Sequence, residues 1–161
     1  YNLVGCQTHL KFGEQKRVFS MIPALRNAEF VRYGVMHRNT FLDSPRLLDA
    51  TYALKSDPRI RFAGQMTGVE GYVESTASGW VAGVAAAMDT LGKPMPQLDR
   101  FTAVGALASY ISDHTVTKFQ PMNINFGIIE PLGYKIKGKR EKNAKISERA
   151  LERIESLKGE L

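Results

Sequence analysis

The chain has 161 residues, of which 43% are hydrophobic and 24% charged, as is typical of one globular domain or a large part of one. No stretch approaches the roughly 18 consecutive apolar residues that a membrane-spanning helix needs, and no secretory leader is visible. The single cysteine, Cys6, excludes an internal disulfide framework and a multi-cysteine zinc site, so we expect a cytoplasmic protein.

Positive charge is concentrated at the two ends of the chain. Residues 1–40 contain six Lys or Arg and two Asp or Glu, a net charge of +4, and residues 134–161 contain nine and five, again +4. Residues 41–133 contain seven and nine, a net charge of −2. Two basic ends fit an anionic partner that contacts them, although ordinary solvated faces account for the pattern about equally well.

The first third of the chain is predicted to alternate strands with short helices. In chain order the prediction is strand 1–10, helix 13–22 ended by Pro23, turn 26–27, strand 30–36, a helical segment 42–54 begun by Pro45, loop 55–58 and strand 59–63. Because the chain opens on Tyr1 in a predicted strand, without an initiator methionine, we expect it to be a fragment of a longer protein.

Three glycines, Gly64, Gly68 and Gly71, follow the last of these strands and precede a long run of small residues. This pattern predicts a strand, a glycine turn and a helix N-terminus, where the backbone can approach a bulky ligand and helix amides can bind its charge. The backbone amides of residues 69–72 are expected to face that ligand. The spacing is not the G-x-G-x-x-G fingerprint, which is absent from the chain, and a purely structural turn explains it about as often.

The helix predicted after the turn carries tiny residues every four positions: Gly71, Ser75, Gly79, Gly83 and Ala87. Each interior glycine costs roughly 1 kcal/mol of helix propensity, so the stripe predicts very close packing against a sheet, a ligand or another helix. Gly92 is expected to end this helix. The remaining predictions are helix 101–110, an ordered loop or strand 119–127, a basic linker 135–142 and an amphipathic helix 144–161.

Few other residues offer chemistry. His9 follows the first predicted strand, but a lone histidine is more often a surface residue than a functional one. Cys6 has no helix N-terminus or cation beside it in sequence, so buried strand filler is more probable than a nucleophile. Two groups of cations could bind nucleic-acid phosphates: one comprises Lys11, Lys16 and Arg17, and the other Lys135, Lys137, Lys139 and Arg140.

Several segments taken together resemble the folate- and FAD-dependent tRNA (uracil-5-)-methyltransferase family. They are Tyr1-Asn-Leu-Val-Gly, Gln7-Thr-His-Leu-Lys, Gly13-Glu-Gln-Lys-Arg-Val-Phe, Phe30-Val-Arg-Tyr-Gly-Val-Met-His-Arg-Asn, Phe62-Ala-Gly-Gln-Met-Thr-Gly-Val-Glu-Gly-Tyr-Val-Glu-Ser and Phe119-Gln-Pro-Met-Asn-Ile-Asn-Phe-Gly-Ile. The match covers residues 1–133 and corresponds to the C-terminal part of that family's chain.

The resemblance implies a flavoprotein that converts the T-loop uridine of tRNA to 5-methyluridine. Methylenetetrahydrofolate would supply the carbon, and reduced FAD, recharged by NAD(P)H, the electrons. The residues expected to line the flavin are Gly64, Gln65, Gly68, Val69, Glu70, Gly71 and Tyr72. His9 and Phe12 are expected to stack near the flavin and the folate ring, and the tRNA contacts expected are Lys11, Lys16, Arg17 and Arg38.

The implied fold is an α/β flavoprotein with two dinucleotide-binding, Rossmann-like domains and a C-terminal helical extension. We expect residues 1–92 to belong to the FAD-binding region, 93–133 to form an ordered extension, and 134–161 a basic linker and helix. The family's working cysteines would precede Tyr1, so the isolated chain is expected to be inactive and able to self-associate. Two alternatives remain: the sister flavoenzyme that builds carboxymethylaminomethyl groups on the tRNA wobble uridine, and a non-catalytic RNA-binding module.

Overall fold

The computed structural model describes residue 3, residues 6–34, residue 36 and residues 40–159. The chain divides into two compact units, residues 1–39 and residues 40–161, and each is described by itself. Among the described residues, none of the helices combines the length and the apolar character needed to cross a membrane.

The first unit is built around helix α1, Phe12–Phe19. The helix predicted at 13–22 is therefore confirmed, but it ends at Phe19, and Pro23 begins a short 3-10 helix, Pro23–Leu25. Proline suits that first position because the amide it lacks would have no partner there. The predicted turn at 26–27 is also present.

The two strands predicted in this unit are wrong over their described residues, since neither 6–10 nor 30–34 forms a strand. The side-chain amide of Gln15 donates to the carbonyl oxygens of Leu10 and Gly34, each at 2.8 Å. A side chain, not a strand ladder, thus satisfies these carbonyls. The aromatic residues that suggested strand instead stack, with Tyr33 centred 5.7 Å from Phe12 and 5.8 Å from Phe30.

The second unit begins with a single helical turn, α2, Ser44–Leu47, with Pro45 in its first turn. The helix or helical turn predicted within residues 42–54 is thus confirmed as a single turn. Beyond it, one Asp49 carboxylate oxygen accepts from the amides of Thr51 and Ala53 and turns the chain. Strand β1, Ala53–Leu54, then pairs antiparallel with β2, Asp57–Arg61. Strand β2 starts two residues earlier than predicted and tolerates Pro58 because a two-stranded sheet has only edges.

The helix predicted after the glycine turn is confirmed as α3, Tyr72–Thr90. Gly92, with φ +66°, follows the end of this helix. The Gly92 amide donates to the Asp89 carbonyl, and the Lys93 amide donates to the Met88 carbonyl. These two bonds form a Schellman motif. The tiny stripe is not the buried face: Gly83 and Ala87 are exposed, and the buried residues are Ser78, Val81, Ala82, Ala85 and Met88.

Helices α3 and α4, the latter Ala103–Ser112, pack around one hydrophobic core. Helix α4 begins two residues later than predicted because Thr102 caps it, its hydroxyl accepting from the Gly105 amide at 3.0 Å. The fully buried members of this core include Leu48, Val69, Val81, Ala108 and Ile111. The core thus joins α2, the glycine turn and both helices.

Helix α5 spans Lys139–Leu157, so the amphipathic helix is confirmed but starts five residues earlier than predicted. The predicted linker is wrong from residue 139 onward. Ile146, 2% exposed, anchors the helix in a second cluster with Ala106 and Ile129. Leu157 is also buried, whereas Leu161 of the predicted stripe lies outside the described residues.

The described residues therefore combine five α-helices and two 3-10 helices with one small antiparallel sheet. The parallel sheet of a dinucleotide-binding domain is not among the described elements, so that part of the fold stays a prediction. The division at residues 92 and 133 also stays a prediction.

Glycine is required at position 68 for two structural reasons. Its φ is +84°, and a Cβ there would lie 2.4 Å from the Phe119 ring. We expect Gly68→Ala to lower the free energy of unfolding by about 3 kcal/mol through backbone strain and overpacking. Gly83→Ala is the control, because Gly83 lies inside α3 with nothing within 4 Å of an added Cβ; it should raise stability by about 1 kcal/mol. Urea denaturation measures both, and equal effects would contradict this account.

Candidate functional site

The glycine turn, residues 64–71, has the left-handed backbone that its sequence predicts. Gly64, Gly68 and Gly71 have φ values of +69°, +84° and +93°, which side-chain-bearing residues rarely adopt. Residues Gly64–Thr67 form a 3-10 helix, Gly68 ends it, and Gly71 is the N-cap of α3. Each glycine therefore marks one change of direction between β2 and α3.

Two buried serine hydroxyls hold this turn. Ser78 of α3 accepts from the Gly64 amide at 2.7 Å and donates to the Ser75 carbonyl at 2.7 Å. Ser44 of α2 donates to the Thr67 carbonyl at 2.9 Å. Both side chains are at most 1% exposed. The turn is therefore attached to α2 and α3 by hydrogen bonds from buried side chains.

The segment after α4 supports the turn from a third side. Val69 and Met122 form an isolated parallel bridge, in which the Met122 amide donates to Gly68 and the Glu70 amide donates to Met122, both at 3.0 Å. The Phe119 ring occupies the space that a side chain at position 68 would need. The predicted loop at 119–127 is therefore part of the scaffold that shapes the turn.

The N-terminus of α3 presents amides that no side chain caps. The first bond of the helix runs from the Ser75 amide to the Gly71 carbonyl at 2.9 Å, so the first-turn amides before Ser75 precede the helix's own ladder. Such amides and the helix dipole favour an anion or a carbonyl oxygen. The expectation that the Glu70 amide faces a ligand needs correction, since this amide donates to the Met122 carbonyl oxygen. The Glu74 side chain, in the first turn of α3, accepts from the Asn123 amide at 3.5 Å.

The predicted flavin-lining residues differ widely in exposure. Tyr72 is 94% exposed and Gln65 is exposed, whereas Gly64, Glu70 and Gly71 are half-buried. Gly68 is buried, and the Val69 side chain is 0% exposed within the core. At these last two positions only the backbone can contribute to a ligand site.

The first unit contains a separate pocket of about 390 Å³. His9 and Phe12, the predicted stacking residues, both line it, together with Thr8, Leu10, Lys11, Gln15, Gly34 and Met36. Phe12 is 56% exposed and stacks on Tyr33 at an interplanar angle of 19°. The pocket thus offers an exposed aromatic face beside the start of α1.

Gln15 is the polar residue of this pocket that sequence reasoning missed. Its side chain is 1% exposed, and both hydrogens of Nε2 are directed at carbonyl oxygens, which fixes the orientation of the amide. Its Oε1 atom is buried and has no hydrogen-bond partner among the residues that the structure describes. The signal was Gln15's position, one turn before Val18 and Phe19 on the apolar side of α1.

Three of the cations predicted to contact tRNA, Lys11, Lys16 and Arg17, lie among the described residues, and they are exposed but not equivalent. Arg17 pairs with Glu14 at 2.7 Å, and this hydrogen bond lowers the pKa of the Glu14 carboxyl. Lys11 and Lys16 are exposed, whereas Arg38 lies outside the described residues. Cys6 is half-buried and not in a strand, which corrects the expectation of buried strand filler.

Comparison with known proteins assigns the family. The model of the family described as glucose inhibited division protein A matches residues 1–94, more than half of the chain and all of the glycine turn. The chain belongs to this family.

The names of curated relatives describe a more specific group of proteins than the family model does. Methylenetetrahydrofolate–tRNA-(uracil-5-)-methyltransferase TrmFO from Acetivibrio thermocellus is 63% identical over 151 residues, covering 94% of this chain and 35% of the relative. Proteins of the same name from Desulfitobacterium hafniense and Listeria monocytogenes are 58% and 57% identical over 98% and 100% of the chain. The chain spans about a third of the length of these relatives. The resemblance to the tRNA (uracil-5-)-methyltransferases that the sequence predicts is confirmed.

Removing the Ser78 hydroxyl should loosen the glycine turn. In Ser78→Ala the amide of the half-buried Gly64 loses its acceptor, so we expect a loss of about 1–3 kcal/mol of unfolding free energy. Thr76→Ala is the matched control on the same helix: its exposed hydroxyl bonds only the Tyr72 carbonyl, and the change should stay within about 0.5 kcal/mol. Denaturation and hydrogen exchange of the Gly64 amide measure the two effects, and an unaltered Gly64 amide in Ser78→Ala would contradict this role.

Proposed function

We propose that this chain is part of a flavoenzyme that methylates the T-loop uridine of tRNA at C5, with methylenetetrahydrofolate as carbon donor and NAD(P)H as reductant. The names of the relatives at 57–63% identity support this activity. Since the chain spans about a third of their length, the proposal concerns the whole protein, which would be cytoplasmic, and the isolated chain would not methylate tRNA.

The observation that carries the proposal is the glycine turn. Three positive-φ glycines bring bare backbone to the N-terminus of an uncapped 19-residue helix, a combination that suits a large, flat and partly anionic cofactor. We propose FAD as that cofactor, with contacts from Gly64, Gln65, Gly68, Val69, Glu70, Gly71 and Tyr72. Val69 and Gly68 would contribute backbone only, and the turn would complete an FAD site within a Rossmann-like fold.

The pocket of the first unit supports a ring-shaped ligand. Phe12 offers an exposed aromatic face, and the buried Gln15 Oε1 has no donor within the described part of the chain. A flavin or a folate ring combines a face that can stack with ring N–H groups that can donate, and aromatic rings prefer such stacking. We therefore propose that His9 and Phe12 contact the flavin or folate ring.

A chimera tests the function directly. Residues 1–161 would replace the matching third of the Acetivibrio thermocellus relative, so that this chain operates within a complete protein. We expect the purified chimera to be yellow with bound FAD and to transfer the methylene carbon of methylenetetrahydrofolate to tRNA. A folded chimera without flavin or methyl transfer would overturn the proposal, while modification of the wobble uridine would favour the sister enzyme.

Tyr72 provides a test of the FAD contact within that chimera. Tyr72→Ala removes an aromatic ring that is 94% exposed, so stability should barely change, but FAD should bind about fivefold more weakly, about 1 kcal/mol. Val73→Ala is the neighbouring control, because Val73 is 80% exposed and is not a predicted contact. Flavin titration of the apoprotein gives both affinities, and equal losses would argue against Tyr72 as a contact.

A further inference from the structure

Five exposed cations lie on the segment that leads into α5 and on its first turn: Lys135, Lys137, Lys139, Arg140 and Lys142. We call this set the basic patch. Glu141 is the only acidic residue between positions 131 and 147. Over the described part of the chain, no side chain of the patch takes part in an ion pair or a hydrogen bond, so its positive charge is uncompensated.

The cations further along α5 are compensated. Lys145 pairs with Glu148 and Lys158 with Glu155, both at 2.6 Å, and the bond to Glu148 raises the pKa of Lys145. Arg153 pairs with Asp99 at 2.7 Å. Arg149 donates to the carbonyls of Glu130 and Pro131 and lies over the Phe101 ring. Within the described residues, the cations at the start of α5 are thus unpaired, whereas those further along the helix are paired.

The position of the patch works against the stability of the helix. Positive side chains are unfavourable at a helix N-terminus, where the dipole is itself positive, and α5 has no side-chain cap there. Local rules of this kind are most often broken at functional sites. Stabilisation of α5 therefore does not explain why these cations lie at its start.

The patch is held on a fixed support. Ile146 lies one turn beyond Lys142 and is 2% exposed in the second core cluster, while Arg149 and Arg153 attach the middle of α5 to residues 99 and 130–131. Tyr134, 62% exposed, directly precedes the patch in sequence. Cations on and next to an anchored helix, preceded in sequence by an exposed aromatic residue, suit a phosphate backbone with accessible bases.

We propose that the basic patch binds the phosphate backbone of tRNA, with Tyr134 available to stack on an unpaired base. The proposal rests on the proposed function for the identity of the nucleic acid. It adds a tRNA surface in the second unit to the cations expected in the first, of which Arg17 is already paired with Glu14.

Two double variants of the full 161-residue chain test the patch against an unmodified tRNA transcript. Lys139→Gln with Lys142→Gln removes two unpaired charges, and Lys145→Gln with Lys158→Gln removes two paired charges from the same helix. The net charge changes equally in both. Fluorescence anisotropy over a range of salt concentrations gives the affinity and its salt dependence, and thermal melting reports the fold.

We expect the patch variant to bind tRNA about tenfold more weakly and its log–log salt slope to fall by about 2. Its melting temperature should stay constant or rise, because two unfavourable charges leave the helix N-terminus. The paired control should keep affinity and slope close to those of the parent chain. Equal weakening of both variants would indicate non-specific charge attraction and overturn the proposal, as would unchanged binding by the patch variant.

The same substitutions in the chimera separate this proposal from the proposed function. If the chimera methylates tRNA and the patch variant raises KM for tRNA with bound flavin unchanged, both proposals stand. If methylation persists with KM unaltered, the patch proposal fails alone. Patch-dependent tRNA binding by a chimera that holds no flavin would retain the patch and reject the flavoenzyme.

Discussion

The bond between the Gly64 amide and the Ser78 hydroxyl is the constraint on which the second unit depends. It joins the start of the glycine turn to the buried face of α3. Ser78 also donates to the Ser75 carbonyl. One hydroxyl therefore fixes both the direction of the chain after β2 and the position of the first turn of α3. Val69 can then enter the core while the amides at the start of α3 stay free of side-chain caps.

The turn that we propose as part of an FAD site is built largely from backbone. Side chains at 67 and 69 are buried and carry the packing, while the glycines between and around them carry the curvature. The side chains of this segment that remain exposed are those of Gln65, Met66 and Tyr72. The unit therefore separates the residues that build the site from those that a ligand would contact, and substitutions can test the two groups independently.

The sequence predicted the parts of the structure that depend on local interactions. Helix α3, its end at Gly92 and the curvature at Gly64–Gly71 all follow from residues close together in the chain. The supports of the turn come from far away: Ser44 lies 23 residues before Thr67, and Met122 bridges to Val69. No local pattern reveals such partners.

The errors have the same origin. Residues 6–10 and 30–34 have β-forming composition, but the Gln15 amide takes the carbonyls of Leu10 and Gly34 and the aromatic rings stack on α1. β-Propensity describes a fit to a half-buried surface, and a helix face supplies such a surface as well as a sheet does. Likewise the start of α5 was missed because its first turn carries charges that oppose helix formation.

The bridge between Val69 and Met122 also sets an order of events during synthesis. Fifty-three positions separate these residues along the chain, and contacts of such long range form late because the intervening chain must first be closed. Residues 64–71 leave the ribosome well before residues 119–122, so the nascent turn must wait for its third support. Until Phe119 reaches Gly68, the turn is held by bonds such as those from Ser44 and Ser78, so it is among the last features of the unit to gain all of its contacts.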